Sequence, residues 1–230
     1  LALAIFDLDN TLLADDSDYL WGRFLVEQGI VDGDYYEQEN DRFYREYKEG
    51  QLDIYEFLHF SLKPLADHPL GRLLSWRRRF LEEKIEPNIL PAGQALVSRH
   101  RDAGDTLLIV TATNAFVTAP IAERLGVPHL IATEPELVDN RYTGRVVGVP
   151  SFREGKIARL EQWLSGHGLD LTGSHFYSDS HNDIPLLGLV DHPVAVDPDE
   201  SLAAHAHRRD WPIISLRNGA QPCPHPGPHR

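Results

Sequence analysis

A chain of 230 residues with 42% apolar and 25% charged residues can bury a large core and is ordinary in composition for a globular protein. Its formal charge of −13, from 22 basic and 35 acidic residues, argues against nucleic acid and anionic membrane surfaces as its main partners, since both select basic patches. The single cysteine excludes an internal disulfide, no apolar run approaches the ~20 residues of a membrane span, and without a basic-then-apolar leader the default expectation is cytoplasmic residence.

Residues 1–6 are wholly apolar and predict a buried strand. The strand ends at Asp7-Leu8-Asp9-Asn10-Thr11. A turn there could use Gly, Asn or a single Asp, so two carboxylates two residues apart are a costly choice. Their repulsion raises the pKa of at least one unless a cation intervenes. The pattern therefore points to a metal site, an acid/base pair, or both. The bland alternative is an acidic turn that caps a helix.

Residues 15–88 read as helical throughout. Leu20, Trp21, Phe24 and Leu25 share one face, closed by Gly29. Tyr36, Phe43, Tyr44 and Tyr47 recur at helical intervals before Gly50. Asp53 is placed to cap Ile54–Leu62, with Pro64 as a stop. Leu70–Ile85 carries Arg77, Arg78 and Arg79 on what reads as a solvated face. Nothing here alternates as a strand should, so this is a helical insertion after the first strand.

From Leu90 onward, strands and helices alternate. Pro91–Ala103 is a helix closed by Gly104, feeding the run Leu107–Val110, which ends at Thr111. Asn114 caps a helix through Leu125, ended by Gly126. Leu130–Ala132 is a short strand, and Val138–Val147, with Asp139-Asn140 inside it, fits a β-hairpin. Gly155-Lys156 opens a helix carrying Ile157, Leu160, Trp163 and Leu164. His175–Tyr177 is a strand ending at Ser178-Asp179-Ser180-His181-Asn182-Asp183. Pro193–Val196 and Ile213–Leu216 complete the sheet. Residues 218–230 are expected as a disordered tail, because Cys223, His225 and His229 lack the second close-spaced ligand pair of a metal clip. In an open α/β sheet, ligands bind beyond the carboxyl ends of the strands. Asp7, Thr111 and Asp179 should gather at that one edge.

Asp7, Asp9 and Thr11, then Thr111, then Lys156, then Asp179 with Asp183 form an ordered set. It resembles the haloacid dehalogenase-like (HAD) phosphohydrolase superfamily, most closely its phosphoserine phosphatase-like branch (subfamily IB, with a helical C1 cap). Ser178 departs slightly from the pattern, where Gly is frequent. The resemblance implies an α/β fold with a doubly wound, Rossmann-like parallel sheet, a catalytic core of residues 1–14 and 89–217, and a cap of residues 15–88. It also implies a Mg²⁺-dependent phosphatase acting on a small phosphorylated metabolite through an aspartyl-phosphate.

In that scheme Asp7 is the nucleophile, and Asp9 protonates the leaving alkoxide before activating water. Asp7, Asp179 and the backbone carbonyl of Asp9 hold the metal, and Asp183 orients its waters or Lys156. Lys156 neutralises phosphoryl oxygens. The Thr111 hydroxyl, the backbone at Ala112 and the Asn182 side chain meet the same oxygens, and Thr11 buttresses the loop. Asp9 also separates the branches, since dehalogenases lack a second acid and P-type ATPases carry Thr there. Phosphotransferases and phosphomutases share the device and stay as an alternative. A phosphate-binding regulatory module is another, but it would have lost one of Asp7, Asp9, Lys156 or Asp179.

The leaving group is read from Asp15, Asp16 and Asp18. By resemblance, an acid at Asp16 receives a substrate ammonium, as on an amino-alcohol phosphate, whereas Asp18 is expected to cap the first helix. Phosphoserine would also need a cation for its carboxylate, from Arg42 or Arg45. Histidinol phosphate needs none.

Overall fold

The computed structural model describes residues 2–225. The N-terminal apolar run forms β1 (Leu3–Phe6), with every residue buried. β1 pairs in parallel with β2 (Thr106–Asn114) on one side and β5 (His175–Ser178) on the other. Ala4 and Phe6 face one hydrophobic core, with Leu107, Ile109, Leu96 and Phe116, whereas Leu3 and Ile5 face a second, with Leu108, Leu160 and Leu202. A strand covered on both faces needs no polar alternation, which is why it reads as a continuous apolar run.

The other strands are β3 (His129–Val138), β4 (Arg141–Val147), β6 (His192–Val196), β7 (Ile213–Ser215) and β8 (Cys223–Pro224), in the order β4-β3-β2-β1-β5-β6-β7-β8. Among the described strands of this sheet the outermost pairs, β3 with β4 and β7 with β8, are antiparallel and the others parallel. Strand order reverses beside β1, so the carboxyl ends of β1, β2 and β5 bound the crevice where this architecture binds ligands.

After β1 the chain runs through α1 (Ser17–Glu27), α2 (Gly33–Lys48), α3 (Ile54–Ser61), α4 (Lys63–Asp67) and α5 (Leu70–Phe80) before it returns to the sheet region. The chain leaves and re-enters the sheet region as a short antiparallel pair. Leu13 bridges Ile89, and the Ala14 and Leu90 N–H groups donate to Asn88 and Leu12 carbonyls at 2.8 and 3.1 Å. The remaining helices connect strands: α6 (Pro91–Asp102), α7 (Ala115–Leu125), α8 (Glu154–His167), α9 (Ile184–Leu187) and α10 (Glu200–Arg208). Asn114 caps α7, as expected, by accepting the Val117 N–H at 3.2 Å.

Several elements differ from the sequence expectation. β2 does not end at Thr111 but runs on to Asn114, through an irregularity in its pairing with β3. β3 continues past Ala132 into the hairpin, whose turn residues Asp139 and Asn140 both adopt positive φ, as a tight two-residue turn requires. α3 ends at its C-cap Leu62, ahead of Pro64 as expected, but Pro64 also opens the next helix. It lies in the first turn of α4, where its missing N–H leaves no bond unmade. The α-helix expected to reach Ile85 ends at Phe80 and passes into a π-helical turn, Leu81–Ile85.

The tail needs correction too. Cys223–Pro224 pairs with β7, and the His225 N–H donates to the Ile213 carbonyl at 3.2 Å. An outermost strand tolerates proline because one of its edges needs no donor. His229 lies outside the described residues.

His175 sits on β5 with its Nδ1 buried and unpartnered, stacked on His192 and facing His100. Burial, reinforced by His100 and His192, holds its imidazole below the ordinary value. The unfolded chain therefore takes up this proton first. The contribution of His175 to stability is full above about pH 6.5 and is lost as pH falls through the lower, folded value. Thermal unfolding across a pH series should show Tm falling on acidification, and His175→Phe should flatten that fall. An unchanged slope in the variant would contradict this.

Candidate active site

The turn after β1 is built by its own backbone. The Leu8 carbonyl accepts the N–H groups of Thr11, Leu12 and Leu13 at 3.3, 3.0 and 3.0 Å. Asn10 takes φ 60°, a left-handed conformation that asparagine tolerates. The Asp7 N–H still donates to the Tyr177 carbonyl of β5 at 2.9 Å, so the first acid is anchored to the sheet.

Lys156, in the first turn of α8, lies between two acids. Its Nζ donates to Asp7 Oδ1 at 2.8 Å and to Asp183 Oδ2 at 2.9 Å. It also approaches Asp183 Oδ1 to 2.8 Å, but off the line of a hydrogen bond, leaving that oxygen buried and unpaired. The Ser178 hydroxyl donates to Asp183 Oδ2 at 2.7 Å. Thr11 joins the first and last motifs: its hydroxyl reaches Asp179 Oδ1 at 3.1 Å and Asp7 Oδ2 at 3.5 Å, and accepts the Asp179 N–H at 3.1 Å.

These groups are almost dry, with Asp7 at 3%, Asp179 at 8%, Asp183 at 2% and Lys156 at 3% exposure. Burial pushes the Asp7 carboxyl well up against the pull of Lys156, and Asp183, Asp179 and Asp9 add to the rise. Burial likewise lifts Asp179 to about 7, opposed by Lys48 and helped by Asp183. Burial pulls Lys156 down, but Asp183 and Asp7 outweigh it and hold the ammonium above its ordinary value. Three buried carboxylates thus face one buried cation, a charge deficit that a divalent ion would fill.

Among the described residues, no three His, Cys, Asp or Glu side chains are close enough to hold a metal unaided. An all-oxygen set of two carboxylates, completed by backbone oxygen and water, fits a hard ion such as Mg²⁺, which keeps several waters.

Asp9 is held by donors on both oxygens. Oδ1 accepts the Ser17 N–H of α1 at 2.7 Å, and Oδ2 accepts the Thr111 and Thr113 hydroxyls at 3.1 and 2.9 Å. The Thr111 hydroxyl is thus spent on Asp9. Thr113 has no role on the sequence expectation, which ends the strand at Thr111, three residues early. Its spacing of two from Thr111 was the available signal, because residues i and i+2 of a strand share a face.

The acids that follow are arranged differently from the expectation. Asp16, not Asp18, caps α1, accepting the Asp18 and Tyr19 N–H groups at 2.9 Å each. Only Asp16 has the extended backbone of a cap, whereas Asp18 already lies within the first turn. Burial lifts Asp16 to about 7, with Asp9 adding, and lifts Asp18 well up, with Asp16 adding.

Arg42 is committed elsewhere, to Glu39, Glu46 and Glu56 at 2.7, 2.9 and 2.8 Å, and Arg45 is exposed. Asn182 accepts from Arg153 Nε at 3.1 Å and donates to Ser180 Oγ at 3.2 Å.

Over Asp7 and Asp9 opens a pocket of about 560 Å³, its solvent mouth included, whose rim also takes in Thr111, Ala112 and Thr113. Asp16, Asp18, Asn40 and the aromatic residues Tyr19, Tyr44 and Tyr47 line it from the helical segment, together with Phe152. No Lys or Arg is among the described residues that line it.

Residues 4–188 match the model of the haloacid dehalogenase-like hydrolase family. The chain belongs to that family. It is 45% identical to the histidinol-phosphatase of Neisseria meningitidis serogroup C, over 94% of this chain and 99% of that one. Phosphoserine phosphatase SerB1 of Mycobacterium tuberculosis is 33% identical over 94% of this chain and 71% of its own length. A solved protein of unknown function from Bordetella pertussis Tohama I superposes with a TM-score of 0.88 at 46% identity, covering 94% of this chain and 98% of that one. This HAD hydrolase is therefore a phosphomonoester hydrolase of the phosphoserine phosphatase-like branch. Among the described residues no helix is long and apolar enough to cross a membrane.

Thr11→Val keeps the shape of the side chain but strands the buried Asp179 N–H. Urea unfolding should show a loss of about 1–3 kcal/mol, the usual penalty for an unpaired buried donor. A loss below about 0.5 kcal/mol would mean that water replaces the hydroxyl.

Proposed function

We propose that this enzyme is a Mg²⁺-dependent phosphatase that hydrolyses an amino-alcohol phosphate through a phosphorylated Asp7, with residues 15–88 acting as a cap over the core of residues 1–14 and 89–217. One observation carries the choice of substrate: the pocket is lined by two half-buried acids, Asp16 and Asp18, by aromatic walls and by no Lys or Arg among its described lining residues.

Phosphoryl transfer needs charge neutralisation and in-line positioning more than new covalent chemistry. Asp7 attacks phosphorus, the bond to the leaving alkoxide breaks, and Asp9 gives that oxygen its proton. Asp9 then takes a proton from the water that attacks the phosphorylated Asp7, releasing inorganic phosphate and restoring the carboxylate. Thr111, Thr113 and the Ser17 N–H fix Asp9 for both steps. Lys156 screens Asp7 and offers charge to the phosphoryl oxygens, while Ser178 and Asp183 hold its ammonium in place. Mg²⁺, held by Asp7, Asp179 and the Asp9 carbonyl with Asp183 behind, would supply further charge neutralisation to those oxygens.

Asp16 and Asp18 make the mouth of the pocket a poor place for a carboxylate and a good one for a cation. Phosphoserine carries both, and its carboxylate finds no cation among the described lining residues, since Arg42 is bound to three glutamates. Histidinol phosphate offers an ammonium to the acids and an imidazole ring to the tyrosines. The name of the Neisseria relative points the same way.

Three outcomes test this reading. Asp7→Asn should reduce kcat below about a thousandth of wild type while the fold persists, and a larger residual rate would exclude the covalent route. Chelation should abolish phosphate release, Mg²⁺ should restore it, and excess Ca²⁺, with its looser coordination, should inhibit. Full activity after exhaustive chelation would rule the metal out. Asp16→Asn keeps a competent helix cap but removes the charge. It should cost roughly 1.5–3 kcal/mol in kcat/KM on histidinol phosphate and little on p-nitrophenyl phosphate. Equal losses on both would mean that Asp16 supports the site and does not read the substrate.

A further inference from the structure

The loop that delivers Lys156 to α8 carries a strained residue three positions earlier. Arg153 has φ 50° and ψ −119°, a conformation that glycine adopts freely and other residues rarely do. Its guanidinium spans two separate parts of the molecule. Nη2 donates to the backbone carbonyl of Gly50, in the turn between α2 and α3, and Nε donates to Asn182 Oδ1 at 3.1 Å.

The Gly50 turn is gripped from a second direction. Gly50 has φ +69°, and a Cβ placed there would lie 2.8 Å from His181 Nε2. His181 is itself fixed by Asp199, through its Nδ1 at 2.8 Å and its N–H at 2.7 Å. Beside Arg153, Phe152 joins Phe43 and Leu52 in a small buried cluster.

Asn182 is a planar amide, so fixing its oxygen fixes the direction of its two N–H groups. With Oδ1 taken by Arg153 and one N–H given to Ser180, a single donor stays free. Asp183, the next residue, holds Lys156. The segments bearing Lys156 and Asp183 and the turn at Gly50 therefore meet at one guanidinium.

Resting on the phosphatase reading above, we infer that Arg153 is a positioning residue that ties the turn at Gly50 to the orientation of Asn182, and through the adjoining Asp183 to the placement of Lys156. The strain at its backbone is the cost of reaching both acceptors from one position.

Arg153→Gly removes both donors and relaxes the backbone, so its melting temperature should match or exceed that of wild type. Its kcat should fall at least about tenfold on histidinol phosphate and on p-nitrophenyl phosphate alike, because both share the phosphoryl end. Amide exchange over residues 49–52 should quicken. Arg153→Lys, which can hold one acceptor at a time, should restore part of the rate. Combined with Asn182→Ala, Arg153→Gly should cost no more than the larger single loss, since one residue acts through the other. Additive losses, or wild-type kcat in Arg153→Gly, would overturn the inference. Should wild-type enzyme release phosphate from no ester, the phosphatase reading fails by itself. The tether is then judged by exchange alone: faster exchange at 49–52 in Arg153→Gly supports it, and unchanged exchange overturns it.

Discussion

A buried ammonium between two buried carboxylates holds this site together. Lys156 comes from the first turn of α8, Asp7 from the end of β1 and Asp183 from the segment after β5, and their hydrogen bonds of 2.8 and 2.9 Å join three separate stretches of chain. Removing Lys156 would leave two uncompensated charges in a dry environment, a loss of about 3–5 kcal/mol by the usual measure of broken buried pairs. The same pair is not a simple gain in stability, because desolvation offsets most of the attraction. Its effect is positional. It keeps the Asp7 carboxylate oriented where a phosphoryl group would arrive, and Thr11 fixes Asp179 beside it.

Charge sets the remaining properties at two scales. Overall the chain is acidic, at −13, so an anionic ester gains nothing from its global field. Locally, attraction comes from Lys156, from Lys48 near Asp179 and from a bound cation at the phosphoryl end. At the other end, burial lifts Asp16 to about 7 and raises Asp18 as well, and an arriving cation would favour their charged forms. On the proposed reading the pocket is thus polarised, with phosphate drawn inward and an amine held outward. A substrate with charge of only one sign would satisfy half of it.

Much of this site could be read from the sequence for one physical reason. In a doubly wound sheet, the polar residue that ends a buried apolar run faces the ligand crevice. Asp7, Thr111 and Asp179 stood at such junctions and Lys156 at a helix start, and the fold brings them together. Thr113 did not stand out because β2 continues past its apolar run, where polar residues gave no sign of strand. Asp16 and Asp18 are interchangeable as caps by composition, and only the extended backbone at Asp16 separates them. Arg42 and Arg45 were plausible carboxylate partners until the glutamates around Arg42 came into view. Arg153 carried no signal, since an arginine before a helix looks like any solvated surface residue. The short β8 was hidden by the proline content of its segment.

The central claim is that the phosphoryl group passes through Asp7. The most direct measurement is mass analysis of peptides from enzyme quenched in acid during turnover of histidinol phosphate with Mg²⁺. The account predicts one added phosphoryl group on the peptide containing Asp7, sensitive to hydroxylamine and absent from Asp7→Asn. Active enzyme quenched within its first turnover with no phosphoryl group on that peptide, or with the group on another residue, would contradict it.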